Sequence, residues 1–377
     1  MEPVAFLDRT RRVRDDDCQR ARYWSTEFNG RGVEPTASAY ELSYGIIVHD
    51  ALDTIVAGKG SAVEVSQQAA RDLAAKMDPT VPPTRLTEQM TLIEAQLLGF
   101  FCSSAWKQLL EEYEVISTEV EVIYEWDGLR LAAKPDLLLK RRDDGTIWYV
   151  EYKTTKWIDD QWFKQWPKAV QLMAGALGVK QTLGLEIEGC IIQALYKGYF
   201  DKKGEMWHSP LVYGWRNSVD RPTGESLYAG TRPKYYKGWE RVPVWELGVG
   251  NWVTTLLPRE QLDANYPRTP PIMIRRDMVQ AWLRQSAHRE REIAEGARLL
   301  REAEAVLEGE TLGAERAALL DRYFRQNFAK CTPGMGYACP FLDLCWQPEM
   351  GKDPVGSGAF RPRQPHHKSD PYYEEAR

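Results

Sequence analysis

Three charged side chains near the middle of the chain have types and a spacing that suit catalysis on a phosphodiester bond. Asp136 precedes an apolar run at residues 137–139, and Glu151 and Lys153 lie in a later run of β-type residues. The polar stretch 141–145 between the two runs ends in Asp-Gly and predicts a β-hairpin. Because side chains alternate faces along a strand, Glu151 and Lys153 share one face, and the hairpin can bring Asp136 beside Glu151.

The residues alone leave two interpretations of this set open. Carboxylate oxygens are ligands that Mg²⁺ or Mn²⁺ prefers, and a lysine beside them can position an attacking water and offset developing negative charge. A salt bridge on a charged strand face would use the same residues without any chemistry. Glu151-Tyr152-Lys153 is the one Glu-x-Lys sequence in the chain, and a Pro-Asp pair lies one hairpin upstream. These two observations favour the catalytic interpretation.

Composition and charge narrow the class of protein. The chain has 377 residues, of which 43% are hydrophobic and 27% are charged, and its net charge is −5. These values are typical of a globular protein with one or two domains, and a nuclease of this charge would need a local basic surface. Residues 1–17 lack the apolar core of a signal peptide, and no stretch predicts a membrane span. We therefore expect a cytoplasmic protein without membrane partners.

The Pro-Asp pair that ends at Asp136, followed by Glu151-x-Lys153, resembles the PD-(D/E)XK nuclease superfamily. A Gly-x-x-x-His sequence that ends at His49 resembles the RecB-like branch of that superfamily. The resemblance implies a restriction-endonuclease-like α/β fold, in which helices flank a mixed central sheet. It also implies that His49, Asp136 and Glu151 hold Mg²⁺ or Mn²⁺, with the backbone carbonyl of Tyr152 as a further ligand, and that Lys153 orients the nucleophilic water. Without the resemblance, His49 would be interpreted as a buried, hydrogen-bonded histidine.

One further position matches the RecB-like pattern in part. Gln171 corresponds to the glutamine of a Gln-x-x-x-Tyr motif that the resemblance associates with DNA contact and with placement of the active site. Gly175 stands where the motif has its tyrosine, so only Gln171 is retained as a candidate.

Cysteines at the two ends of the chain suggest a second metal site. Cys331, Cys339 and Cys345 lie within fifteen residues, a clustering that fits a soft metal better than a packed core. Three ligands leave a tetrahedral zinc or an iron–sulfur cluster one short, and Cys18 can supply the fourth. The order of one early and three late cysteines resembles the RecB-like iron–sulfur nucleases, which implies a cluster that joins the chain ends. A [4Fe–4S] cluster is favoured, zinc is the alternative, and a site without metal remains open.

The predicted organisation is a single RecB-like nuclease domain at residues 1–350. Within it we expect a core at 40–196, an aromatic-rich β insertion at 197–270, and helices with the cysteine cluster at 275–348. The insertion could stack on single-stranded bases or serve only as packing. Residues 351–377 are rich in proline, glycine and charge and are predicted to form a flexible tail.

The strands that carry the catalytic residues are predicted to form an antiparallel meander. Three strands span residues 115–155, with a turn at Asp127-Gly128, Asp136 on the second strand and Glu151 on the third. Glu119 and Glu121 are predicted to form the solvent-exposed face of the first strand.

These expectations predict a metal-dependent DNA exonuclease that acts on single strands or duplex ends. Its expected role is phage-type recombination, replication or repair, and recombination or replication proteins are candidate partners. Three alternatives stay open: a non-catalytic DNA-binding accessory protein that keeps the fold, a nuclease of CRISPR spacer acquisition, and a structural protein that binds zinc. The sequence does not decide polarity, strand preference, exonuclease or endonuclease mode, or oligomeric state.

Overall fold

A computed structural model describes residues 5–36, 40–77, 81, 83–155, 158–197, 263–331, 339–371 and 373, together with short strands between residues 200 and 243. Most of the predicted insertion at 197–270 therefore lies outside the described residues. None of the helices in the described part of the chain is long and apolar enough to cross a membrane.

The helices are α1 (Arg9–Asp17), α2 (Gln19–Arg22), α3 (Tyr40–Val56), α4 (Ala62–Lys76), α5 (Pro83–Cys102), α6 (Ser104–Glu112), α7 (Asp160–Gln165), α8 (Val170–Leu183), α9 (Arg276–Val306), α10 (Gly309–Tyr323), α11 (Leu342–Trp346) and α12 (Pro348–Lys352). The strands are β1 (Ala5–Leu7), β2 (Val33–Pro35), β3 (Tyr113–Thr118), β4 (Val122–Trp126), β5 (Leu129–Ala133), β6 (Leu137–Arg141), β7 (Ile147–Thr155), β8 (Ile187–Tyr196), β9 (Phe200–Lys202), β10 (Glu205–Trp207), β11 (Tyr213–Asn217), β12 (Trp239–Pro243), β13 (Ile272–Met273) and β14 (Phe360–Pro362).

The central sheet has five strands in the order β13-β8-β7-β6-β3. Strands β6 and β7 form the predicted antiparallel hairpin, with Leu137 opposite Val150. Strands β7 and β8 are parallel, and α7 and α8 make the crossover that parallel neighbours require. The prediction of a mixed sheet flanked by helices is confirmed.

Alternation along the strands explains why helices cover both faces of this sheet. Val150 and Tyr152 point into a hydrophobic cluster that includes residues of α3, α4 and α5. Tyr149 points to the opposite face, into a cluster with α8 residues such as Leu172 and Val179. A strand buried on both faces is expected to be apolar throughout, so the charged Glu151 and Lys153 of β7 stand out.

The predicted three-stranded meander is wrong in its connections. β4 and β5 do form a hairpin, and Asp127 and Gly128 at its turn have the positive φ angles (50° and 78°) of a tight two-residue loop. That hairpin belongs to a separate sheet in which β5 pairs in parallel with β1, whereas β3 pairs with β6. Side chains of α8 cover the β4 edge, where Thr182 Oγ1 accepts a hydrogen bond from Ile123 N at 2.9 Å.

The two ends of the chain pack together in a further hydrophobic cluster. Tyr23, Trp24 and Phe28 from the amino-terminal segment pack there with residues of α9, α10 and α11. The cluster also includes Phe324, which follows α10 and contacts Tyr23, and Phe341, which precedes α11. The buried ion pair between Arg22 and Glu290 has Nη2 and Oε2 atoms 2.8 Å apart and lies beside this cluster.

Residues 359–370, which we call the C-terminal strap, do not form the flexible tail predicted for 351–377. Strand β14 within the strap pairs with β2. Asp370 is buried and accepts hydrogen bonds from Arg11 at 3.0 Å and from Arg363 at 2.9 Å. Its partner Arg11 lies 359 positions away in the sequence, so composition alone gave no sign that these charges would be paired.

Candidate active site

Asp136 lies just before β6 and is buried, and two groups fix its carboxylate. Oδ2 accepts a hydrogen bond from Tyr152 N at 2.6 Å, and Oδ1 lies 2.9 Å from His49 Nδ1. Burial opposes ionisation, but the charge of His49, these hydrogen bonds and the nearby Lys153 outweigh it and hold the pKa of Asp136 below its usual value. Asp136 is therefore an ionised carboxylate at neutral pH.

His49 lies on α3 and faces Asp136, as the resemblance implied. Burial disfavours the imidazolium, but the Asp136 carboxylate has the larger combined effect and raises the pKa of His49. Histidines that bind a metal commonly have one ring nitrogen against a carboxylate and the other free for the ion. The arrangement of His49 fits that pattern.

Glu151 and Lys153 project from the same face of β7, as their spacing predicted. Lys153 Nζ donates a hydrogen bond to Glu151 Oε2 at 2.5 Å, and both side chains are largely buried. Burial raises the pKa of Glu151, and Lys153 and Asp136 act on it in opposite directions. The pair is a buried ion pair within a cleft and not a salt bridge on an exposed strand face, so the non-catalytic interpretation of an exposed salt bridge is wrong.

Glu119 is a further candidate site residue, which the sequence pattern placed wrongly on the exposed face of a strand. It follows the end of β3 with φ at 49°, an uncommon conformation for a residue other than glycine. In this conformation Glu119 N donates to Asp136 O at 3.1 Å, and the side chain forms an ion pair with Lys134. Burial and the charge of Asp136 raise the pKa of Glu119 to about 7.

His49, Glu119 and Asp136 form, within the described part of the chain, the one group of three residues that could hold a metal ion together. One ligand atom from each lies within 4.8 Å of the others. At most two of the three ligands can lie on opposite sides of Mg²⁺, about 4.2 Å apart, and adjacent ligands are about 3.0 Å apart, so the three atoms need to approach one another by at most about 2 Å to share one ion. Two carboxylates and an imidazole suit Mg²⁺ or Mn²⁺. The predicted ligand set had Glu151 and the Tyr152 carbonyl in place of Glu119.

The sequence could not place Glu119 near Asp136, because the alternation of side chains along a strand does not predict a residue with a left-handed backbone conformation after the strand ends. Glu121 was also predicted to be exposed. Its carboxylate instead accepts hydrogen bonds from the backbone N–H groups of Lys368 and Ser369 in the C-terminal strap, each at 2.9 Å.

Gln171 lies in the first turn of α8, beyond the end of β7 in the chain. Its side chain is outside the described part of the structure, so its predicted role in DNA contact stays a prediction.

The four predicted cluster cysteines lie around the hydrophobic cluster that joins the chain ends. Cys18, Cys339 and Cys345 all belong to or contact that cluster, and Cys339 N donates to Cys331 O at 3.1 Å. Cys18 Sγ accepts a hydrogen bond from Asn327 N at 3.3 Å. Burial raises the pKa of Cys345 to about 11, and the charges of Cys339 and Cys18 add to that shift.

The described cysteines of the two chain ends are near the same hydrophobic cluster, but their sulfur atoms are not arranged around one metal ion. In the described residues, no three cysteine sulfur atoms lie within 4.8 Å of one another. Four thiolates on one zinc ion would be about 3.8 Å apart, given Zn–S bonds of about 2.3 Å. The remaining two cysteines, Cys102 and Cys190, lie in the core that surrounds the central sheet.

The candidate catalytic residues line one cleft with a volume of about 620 Å³. Asp136, Glu151 and Lys153 line it together with His49 and Glu119, a group that we call the catalytic wall, and residues of β5 contribute to the rest of the lining. Buried carboxylates, a lysine and a histidine thus lie in one cleft, which is the arrangement expected for hydrolysis assisted by a divalent cation.

The raised pKa of Glu119 predicts how stability depends on pH. The folded protein without metal holds a proton on Glu119 up to about pH 7, whereas an unfolded chain releases it near pH 4.5, so this group lowers stability as pH rises between those values. Glu119→Gln removes the effect. In EDTA, the free energy of unfolding of the Glu119→Gln protein minus that of wild type should increase by about 1–3 kcal/mol between pH 4.5 and pH 8.

Urea denaturation of both proteins at several pH values measures this difference. Glu125→Gln is the matched control, because Glu125 is an exposed glutamate of the neighbouring hairpin. In Mn²⁺ at pH 8 the Glu119→Gln protein should instead be less stable than wild type, because the metal stabilises the wild type more. A difference that stays constant with pH would contradict the placement of Glu119 beside Asp136.

Comparison with known families agrees with the fold and the cleft. No curated protein matches the chain significantly. The PD-(D/E)XK nuclease superfamily matches residues 16–345, which include the segment around Asp136, Glu151 and Lys153 and most of the described structure. This match does not distinguish the iron–sulfur RecB-like branch from other members. The chain belongs to the PD-(D/E)XK nuclease superfamily.

Proposed function

We propose that the protein is a metal-dependent nuclease that hydrolyses DNA phosphodiester bonds in the cleft around Asp136. The observation that carries the proposal is the buried set of Asp136, Glu151 and Lys153 on the central sheet of a superfamily member. A buried ion pair of this kind is weak evidence for stability, so a role in the cleft explains it better than fold stabilisation.

The ion would be held by Asp136, His49 and Glu119, with Glu151 and the Tyr152 carbonyl as further candidates. When bound, a divalent cation polarises the phosphodiester and lowers the pKa of a coordinated water. Asp136 is the best positioned ligand, because Tyr152 N and His49 Nδ1 fix its two oxygens. The requirement for ionised Glu119 predicts that metal binds more tightly above pH 7 than below it.

Lys153 would position the attacking water. Its Nζ atom donates to Glu151 at 2.5 Å and lies 6.0 Å from the ring centroid of Trp166, so both contacts restrict where the ammonium group can lie. The ammonium retains further N–H donors for a water or a phosphate oxygen. Its charge offsets the negative charge that develops as the water oxygen bonds to phosphorus and the ester oxygen leaves.

Digestion from a DNA end is the mode that we propose, in recombination, replication or repair, with Gln171 as a DNA-positioning residue. The resemblance of the His49 and Gln171 sequences to RecB-like nucleases supports this choice. Linear and covalently closed circular single-stranded DNA of the same sequence separate the modes. An exonuclease degrades only the linear form in Mn²⁺, whereas nicking or cutting of the circle at a similar rate would indicate an endonuclease. Cleavage of neither form, with DNA bound, would favour the non-catalytic accessory protein.

We further propose that Cys18, Cys331, Cys339 and Cys345 hold a [4Fe–4S] cluster, with Zn²⁺ as the alternative. Hydrogen bonds to the sulfur atoms support it, because N–H donors such as Asn327 N and Gln326 Nε2 stabilise thiolate charge. A cluster spreads its cysteines over several iron atoms and needs a wider spacing than one zinc ion. It therefore does not require what the described cysteines lack, three sulfur atoms within 4.8 Å of one another. Such a site would link the segment around α1 to α11.

A further inference from the structure

The lining of the cleft also includes residues that the proposed catalytic role does not use, which we call the second wall. They are Asp8, Arg9, Thr10 and Arg12 at the start of α1, and His366 and His367 from the C-terminal strap. These residues lie at opposite ends of the chain, and the fold brings them to the same cavity as Asp136 and Lys153.

The two walls differ in charge. The catalytic wall carries the carboxylates of Glu119, Asp136 and Glu151, whereas the second wall has two guanidinium groups, two imidazoles and one carboxylate. That carboxylate, Asp8, caps α1 by accepting a hydrogen bond from Arg11 N at 2.8 Å. Arg9 is exposed, and no carboxylate of the described residues lies within ion-pair distance of it. Arg12 pairs only with the exposed Asp16, at 3.1 Å, among the described residues. Two guanidinium groups against one carboxylate leave the second wall locally basic, whereas the whole protein has a net charge of −5.

Buried contacts hold the second wall in place. Asp370 joins Arg11 of α1 to Arg363 of the strap, at 3.0 Å and 2.9 Å, and all three side chains are almost inaccessible to solvent. On the other side of the strap, the Glu121 carboxylate accepts two backbone N–H groups. Because Glu121 is two positions from Glu119, the strap is attached directly to the segment that forms the catalytic wall.

From this geometry we propose that Arg9, Arg12 and His366 bind a backbone phosphate of the DNA strand next to the scissile phosphate. The inference rests on the proposed nuclease function and adds a substrate-binding subsite to it. Arginine is suited to this role, because its planar guanidinium donates two parallel hydrogen bonds to phosphate. A volume of about 620 Å³ is larger than one phosphate group needs and leaves room for a neighbouring nucleotide.

The subsite has an effect only when the substrate has a second phosphate. The Arg9→Ala/His366→Ala double variant should raise KM for a single-stranded 20-mer about tenfold, as expected when a hydrogen bond to a charged group is removed. Hydrolysis of thymidine 5′-(4-nitrophenyl phosphate), which has one phosphodiester, should be unchanged. The dependence of binding on salt should also weaken, by roughly 0.7 in log–log slope for each phosphate that the variant no longer neutralises.

Arg301→Ala is the matched control, since Arg301 is exposed and does not line the cleft. Equal losses on the 20-mer and on the single-diester substrate would overturn the subsite, because they would indicate a distorted active site. An unchanged KM and salt slope for the 20-mer would overturn it as well. If wild type cleaves neither substrate in Mn²⁺, the proposed nuclease function fails, and the salt slope of 20-mer binding, measured by fluorescence anisotropy, still decides the phosphate subsite.

Discussion

Replacing Lys153 with alanine is expected to reduce DNA cleavage in Mn²⁺ by at least about 100-fold, the usual cost of removing one donor that stabilises a transition state. Lys153 contributes the ammonium group in the catalytic wall, and its partner Glu151 is buried in the cleft. DNA binding should fall far less than turnover, because the proposed backbone contacts lie on the second wall. Single-turnover cleavage and fluorescence anisotropy measure the two effects separately.

Lys140→Ala is the matched control for this variant. Lys140 lies on the adjacent strand β6, is exposed and does not line the cleft. Its replacement should leave both the cleavage rate and the affinity for DNA within about twofold of wild type, as expected for an exposed surface substitution. A Lys153→Ala protein that keeps more than a tenth of the wild-type rate would contradict the role assigned to Lys153.

Replacing Cys18 with serine is expected to remove bound iron or zinc and to lower the melting temperature by several degrees. Metal that binds only the folded chain adds its binding free energy to folding, so its removal destabilises the protein. In the proposed site Cys18 would supply the ligand from the amino-terminal end, and Cys331, Cys339 and Cys345 would supply those from the other end. Elemental analysis of anaerobically purified protein and thermal denaturation measure the two effects.

Cys102→Ser is the matched control, because Cys102 is partly buried in a different hydrophobic cluster. It should keep the metal content of wild type. An absorption spectrum distinguishes the metals, since an iron–sulfur protein is brown and a zinc protein is colourless. A wild-type protein with neither metal, or a Cys18→Ser protein with unchanged metal and melting temperature, would contradict the four-cysteine site.

The spatial contacts between candidate site residues that the sequence predicted correctly are the local ones. Asp136, Glu151 and Lys153 are within eighteen residues, so strand alternation and one Asp-Gly turn were enough to bring them together. The position of His49 came from a resemblance and not from its helix, whose apolar residues do not define one face. His49 Nδ1 does lie 2.9 Å from Asp136 Oδ1.

The errors concern interactions that no local pattern encodes. Glu119 enters the site through a positive φ angle, which a strand pattern cannot indicate. The hairpin of β4 and β5 joins β1, a partner more than 120 positions earlier in the chain, in place of the next strand. The strap looked disordered because its composition is polar, yet Asp370 is paired with Arg11 and Arg363. Ion pairs between distant residues depend on the complete fold.

Digestion of end-labelled single-stranded and duplex DNA by the wild-type protein, in Mn²⁺ and in EDTA, tests the proposed nuclease function. The cleft around Asp136 predicts shortened products in Mn²⁺ and intact DNA in EDTA, with the Asp136→Asn protein inactive in both. Intact DNA in Mn²⁺ and in Mg²⁺, from folded and anaerobically purified protein, would contradict the nuclease account.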